Sequence, residues 1–172
     1  MKIKYLICLL PCALVVCSPP DKPKPTLRGE VIAEQTFKFK DSILGPATFI
    51  PTVDQDGSPN DRLTLYVQPV GKETTELPSA NIGFSFYRLL AVSFEDLNKD
   101  GLLDIVLIAQ YIPGAGPNAA QPFDMCLIYL RNKSSFTFEP IIADTVMSMS
   151  KDRINVAQVR SLFAQAARKN GR

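Results

Sequence analysis

Hydrophobic positions in this chain fall into short runs, separated by polar segments rich in turn formers. Runs at 36–40, 48–53, 63–68, 89–94, 105–111, 125–130 and 136–139 are dense in Val, Ile, Phe, Tyr and Thr, and Gly, Pro, Asn and Asp bound them. β-Branched and aromatic side chains suit a pleated surface and the bounding residues reverse the chain, so each run predicts a strand. Phe37-Lys38-Phe39-Lys40 and Phe136-Thr137-Phe138-Glu139 alternate, as strands with one wet face do. Ile105 to Ala109 is apolar throughout, which predicts a central strand covered on both faces. The gaps are short, and none before the C-terminus carries a helical period. The expected fold is mainly β: an antiparallel meander in a single β-rich domain over residues 30–172.

One helix is expected, over 154–169. Asn155 stands as N-cap, Val156, Val159, Phe163 and Ala166-Ala167 repeat at three- and four-residue intervals, and Arg168 and Lys169 occupy the last turn. Such an amphipathic helix is expected to pack on the sheet rather than to await a partner.

The N-terminus follows a different pattern. Lys2 and Lys4 precede an apolar stretch from Tyr5 to Val16, too short for a permanent membrane span but suited to a secretory signal, residues 1–16. Cys17 follows, and then Ser18-Pro19-Pro20-Asp21-Lys22-Pro23-Lys24-Pro25 opens a Pro-rich tether over 17–29 that neither a helix nor an inner strand accommodates. An apolar run, a Cys and a tether together resemble a bacterial lipoprotein signal. That resemblance implies lipidation of Cys17 after cleavage and a membrane partner through the lipid. Leu14 and Val15 fit its consensus, while Val16 stands where a small residue is expected. Ordinary cleavage near Cys17, giving a periplasmic or secreted protein, is the other reading of the same residues.

Export changes the composition that matters. Removing Lys2 and Lys4 from 19 cationic residues leaves 17 against 17 anionic ones. Near-zero charge without a basic cluster argues against nucleic acid as partner. The chain has no His, which removes the commonest general base and zinc ligand. Cys8, Cys12 and Cys17 lie in or at the end of the signal, so Cys126 alone remains and is read as a small buried hydrophobe.

One segment carries chemistry. Asp96-Leu97-Asn98-Lys99-Asp100-Gly101-Leu102-Leu103-Asp104 reads D-x-N-x-D-G-x-x-D. Calcium takes six to eight oxygens, and alternate positions of a tight loop supply them. Asp96, Asn98 and Asp100 offer side-chain oxygens, Gly101 the sharp reversal, Leu102 its carbonyl, and Asp104 closes the shell. Leu107 stands where an EF-hand carries its bidentate Glu, and both flanks read as strand. A plain hairpin turn accounts for Asp100-Gly101 but not for Asp96 and Asp104 at their offsets.

With the strand Leu90-Ala91-Val92 before the loop, Ile105-Val106-Leu107-Ile108 after it and Leu127-Ile128-Tyr129-Leu130 beyond, residues 87–139 resemble the FG-GAP or VCBS repeat of integrin-α-like propellers. The resemblance implies a four-stranded antiparallel blade-like unit whose first two strands are joined by a calcium loop. The Phe-Gly opening and Gly-Ala-Pro ending of that family are absent, and the chain has no room for a closed propeller. A weaker partial copy spans 52–60, with Asp54 and Asp56 as its carboxylates.

Three further motifs are set aside. Gly114-Ala115-Gly116-Pro117-Asn118-Ala119 matches a dinucleotide fingerprint, but Pro113, Pro117 and Pro122 forbid the helix it needs. Ser148-Met149-Ser150-Lys151 lacks the partner motifs of Ser-x-x-Lys enzymes. Asn132-Lys133-Ser134 reads as a turn. The expectation is an exported, non-catalytic domain of structural or interaction role. Two alternatives stand beside it: a glycan- or protein-binding module using the loop 111–123, and an envelope hydrolase using Glu95.

Overall fold

The computed structural model describes residues 26–54, 61–114, 116, 120–149 and 154–169. The signal segment, Cys17, most of the tether and positions 55–60 of the second loop lie outside the described residues, as does Lys151. The strands are β1 (Glu30–Val31), β2 (Phe37–Asp41), β3 (Gly45–Asp54), β4 (Arg62–Pro69), β5 (Thr75–Glu76), β6 (Ser85–Glu95), β7 (Asp104–Ile112), β8 (Phe123–Arg131) and β9 (Phe136–Phe138). The helices are α1 (Pro140–Met149) and α2 (Val156–Lys169). All seven expected runs are strands, and the fold is mainly β and antiparallel.

Two sheets form. The first is ordered β1-β3-β4-β5, with β2 also paired to β3, and the second is the meander β6-β7-β8-β9. Strand alternation divides their side chains between two cores. Phe49, Leu65 and Val67 of the first sheet meet Ile105, Leu107, Ala109, Leu127 and Tyr129 of the second. Phe39 and Phe94 seal this layer by stacking across it, 4.4 Å between ring centroids. On the far face of the second sheet, Val106, Ile108, Cys126 and Ile128 pack against Ile142, Val146, Val159 and Phe163 of the helices. The molecule is therefore layered sheet, sheet, helices. β7 lies between both layers and is buried from Asp104 to Tyr111, as its unbroken apolar run requires. Burial in the second core pushes the Cys126 thiol up to about 12, so it stays protonated.

One expectation needs correction, and two features were not read from the sequence. A second helix, α1, precedes the C-terminal one. Pro140 suits the first helical position, and Ile142, Ala143 and Val146 bury one face. Its Ile, Thr and Val content lowers intrinsic helicity, so burial rather than propensity carries it. The two-residue strands β1 and β5 are too short to leave a period in the sequence. The last residues of the expected tether, Arg28 and Gly29, contact the first sheet. The Arg28 N–H donates to the Tyr66 hydroxyl at 3.1 Å, its guanidinium reaches Glu76, and Gly29 packs on Val53.

The C-terminal helix begins as expected. The Asn155 side chain accepts the Gln158 N–H at 3.0 Å, and the Gln158 side chain accepts the Asn155 N–H at 2.9 Å. This reciprocal pair satisfies two amide donors at the helix end.

Candidate functional site

Residues 96–103 join β6 to β7, the two most extensively paired strands of the second sheet, at one end of the sandwich. The loop folds around its own acidic side chains. Asp96 Oδ1 and Asn98 Oδ1 both accept the Asp100 N–H, at 3.0 and 3.1 Å, so these two oxygens converge on one point. Asp96 Oδ2 accepts the Gly101 N–H at 2.9 Å, and Asp100 Oδ1 accepts the Leu102 N–H at 2.9 Å. Closing so tight a turn takes left-handed backbone at Lys99 (φ 64°) and Gly101 (φ 84°). Glycine adopts that region freely, whereas lysine does so at a cost.

Asp104 differs from the others. Asp96, Asn98 and Asp100 are exposed, whereas Asp104 is fully buried at the start of β7. Its Oδ2 accepts the Leu97 N–H at 2.9 Å and its Oδ1 accepts the Arg131 N–H at 2.7 Å. Burial raises its carboxyl to about 6 against the pull of these bonds, and the negative charge of Asp100 adds to the rise. Asp100 and Asp104 are thus close enough to repel each other. Among the described residues, no three His, Cys, Asp or Glu side chains are drawn together tightly enough to hold a metal ion. The oxygens of the loop rest on its own amides.

The donor set nonetheless suits a hard cation, since a carboxylate oxygen already accepting one N–H keeps a second lone pair. Asp96, Asn98 and Asp100 present oxygens from one exposed turn. The Leu102 carbonyl lies in the same turn, and Asp104 stands behind it.

Two residues that sequence reasoning missed brace this loop from other strands. Asp41, at the end of β2, is 2% exposed, and its Oδ1 accepts the N–H groups of Ile43 and Leu44 at 2.9 and 2.7 Å. The Leu103 N–H points at the same carboxylate. Beside it, Ser42 Oγ donates to the Gly101 carbonyl at 3.4 Å, so the β2–β3 hairpin of the first sheet touches the loop of the second. Arg131 is 3% exposed, with its guanidinium 4.8 Å above the Phe136 ring. Asp41 Oδ2 and Arg131 Nε are buried without a hydrogen bond from any described residue. Neither residue carries a sequence signal: each ends a strand, far along the chain from the loop it braces.

The other expected residues fall elsewhere. Glu95 binds the Arg160 guanidinium through both oxygens, at 2.6 and 2.7 Å, and accepts from Ser93 Oγ at 2.7 Å. The Arg160 hydrogen bond holds its carboxyl low despite burial, so at neutral pH it has no proton to give as an acid. It clamps α2 to β6. In the 111–123 connection, Tyr111 is buried edge-on to Phe86 and Phe123 is edge-on to Phe84, while 115 and 117–119 lie outside the described residues. Asn132 caps the β8–β9 turn by accepting the N–H groups of Ser134 and Ser135, as expected of a turn residue. Ser148 belongs to α1, where its hydroxyl donates to the Thr145 carbonyl. No helix among the described residues is long and apolar enough to cross a membrane. No protein family, curated protein or solved structure matches the chain.

Proposed function

We propose that this chain is an exported, non-catalytic β-domain, lipid-tethered through Cys17, whose 96–104 loop takes Ca2+ as a structural staple. The observation that carries this reading is the inward turn of the loop's oxygens. Asp96 and Asn98 share one N–H, and Asp100 and the Leu102 amide sit in the same turn. The residues to hold the ion are Asp96, Asn98 and Asp100 through side chains, Leu102 through its carbonyl, and Asp104. A bound cation supplies positive charge where Asp100 and Asp104 otherwise repel. The β6–β9 meander, with this loop between its first two strands, is also the arrangement implied by the FG-GAP resemblance.

The role is structural because of what the loop touches. Ser42 bonds its Gly101 carbonyl and Asp41 faces its Leu103 amide, so a rigid loop fixes one sheet against the other. Extracellular calcium modules bind at about 0.1–1 mM, which suits a staple kept filled outside the cell rather than a sensor.

The test is thermal unfolding of the wild type and of Asp100→Ala, each in millimolar calcium and in chelator. At about ten times the dissociation constant, calcium adds roughly 1.4 kcal/mol, a few degrees for a domain of this size. A shift in the wild type that the variant lacks supports the staple. No shift in either reduces the loop to an acidic hairpin.

A further inference from the structure

Two successive peptides of the 96–104 loop are held from opposite sides, and the holders lie in different sheets. The 101–102 peptide gives its carbonyl to Ser42 Oγ at 3.4 Å and its N–H to Asp100 Oδ1 at 2.9 Å. One side of the turn therefore belongs to the β2–β3 hairpin, and the other to the loop's own acidic side chains. The next peptide, 102–103, is turned over: its Leu103 N–H faces the Asp41 carboxylate of the same hairpin. In a trans peptide the N–H and C=O point in opposite directions. With its N–H toward Asp41, this trans peptide aims the Leu102 carbonyl away from the hairpin, to the side where Asp100 stands.

Asp41 suits that task. It is buried, and its Oδ1 is occupied by the Ile43 and Leu44 N–H groups. Its Oδ2 is buried with no hydrogen-bond partner among the described residues, so it is the oxygen left for the Leu103 amide. A buried acceptor without a donor is unfavourable, which draws that amide, and with it the whole peptide, into one orientation. Asp41 is poorly placed to hold the ion itself. The positive charge of Arg131 already acts on it, and a cation beside it would meet that charge.

Resting on the calcium reading of the loop, we infer that Asp41 is a positioning residue for the cation: it orients the Leu102 carbonyl as a ligand, and Ser42 assists by fixing the preceding peptide. A carbonyl already aimed at the ion needs no reordering when the ion arrives. The affinity of a loop in the second sheet is thus set by a hairpin of the first.

The experiment is calorimetric titration of the purified full chain with calcium chloride, for the wild type, Asp41→Asn, Ser42→Ala and Asn155→Ala, with carbonyl carbon chemical shifts followed alongside. Asp41→Asn keeps one oxygen for Ile43 and Leu44 but turns an N–H2 group toward the Leu103 N–H. Calcium affinity should fall about tenfold in Asp41→Asn and about threefold in Ser42→Ala. The Leu102 carbonyl carbon should shift on binding in the wild type and much less in Asp41→Asn, while the Asp96 and Asp100 carboxyl carbons shift in both. Asn155→Ala loosens the α2 cap instead and should keep the wild-type affinity. Equal weakening there would assign the effect to general stability and overturn the positioning role. Unchanged affinity in Asp41→Asn, or a full Leu102 shift in it, would overturn the inference and leave the calcium site standing. Should Asp41→Asn not fold, the exposed Ser42→Ala decides, and unchanged affinity there would overturn it. Absence of binding to the wild type would remove the calcium reading and this inference with it.

Discussion

The Asp104 carboxylate accepts the main-chain N–H of Arg131 at 2.7 Å, joining the first residue of β7 to the last of β8. Its second oxygen holds the Leu97 N–H at 2.9 Å, so one buried side chain ties the loop to both strands. Asp104→Asn replaces one of these acceptors with an amide N–H2 facing a buried donor. An unsatisfied buried donor costs about 1–3 kcal/mol. The urea midpoint should fall accordingly at constant slope, in chelator as well as in calcium. A loss confined to calcium would assign Asp104 to the cation alone.

Two glycines separate backbone strain from collision. Gly101 has φ 84° with open space around an added Cβ, so Gly101→Ala meets only the left-handed penalty, about 1–2 kcal/mol. At Gly29, φ is 79° and an added Cβ would collide with the Val53 carbonyl oxygen. Gly29→Ala must also push β1 away from β3, and it should melt below Gly101→Ala. The reverse order would show that β1 is not held against β3 in solution.

The α2 cap gives a local readout. Asn155→Ala removes the acceptor for the Gln158 amide and should cost about 1 kcal/mol. Amide exchange should quicken at Gln158 while β7 stays protected. Phe163→Ala, which empties a buried site against the sheet, should cost about 3–5 kcal/mol.

Acid should loosen the β2–β3 hairpin. Burial favours the neutral form of Asp41, but the N–H groups of Leu44, Ile43 and Leu103 and the charge of Arg131 prevail, and its carboxyl lies below the usual range. A depressed folded value means stabilisation that is present above the unfolded carboxylate value, about pH 4, and is lost as pH falls through the folded one. Asp41→Asn should therefore be less stable than the wild type at pH 7, and the difference should shrink in urea melts at pH 3. A constant difference would mean that Asp41 acts through shape rather than charge.

Lipid attachment predicts a change of compartment with one atom. Cys17→Ser should move the protein from the membrane fraction to the soluble one and abolish incorporation of labelled palmitate. Unaltered fractionation would leave ordinary cleavage as the account of the signal.

The sequence by itself determined what depends on near neighbours in the chain. Seven strands were legible because alternation and turn residues act over a few positions. The 96–104 loop was legible because all its oxygens lie within one nine-residue stretch, and Asn155 because its cap reaches only to Gln158. Tertiary structure decided the rest. Ile141-Ile142 and Thr145-Val146 carry weak local preference for a helix, and α1 forms because Ile142 and Val146 have Cys126 and Ile128 to bury against. Asp41 and Arg131 brace the loop from strands of different sheets. Turn chemistry is settled by covalent neighbours, whereas burial and cross-sheet polar contacts are settled by which faces the sheets present to each other.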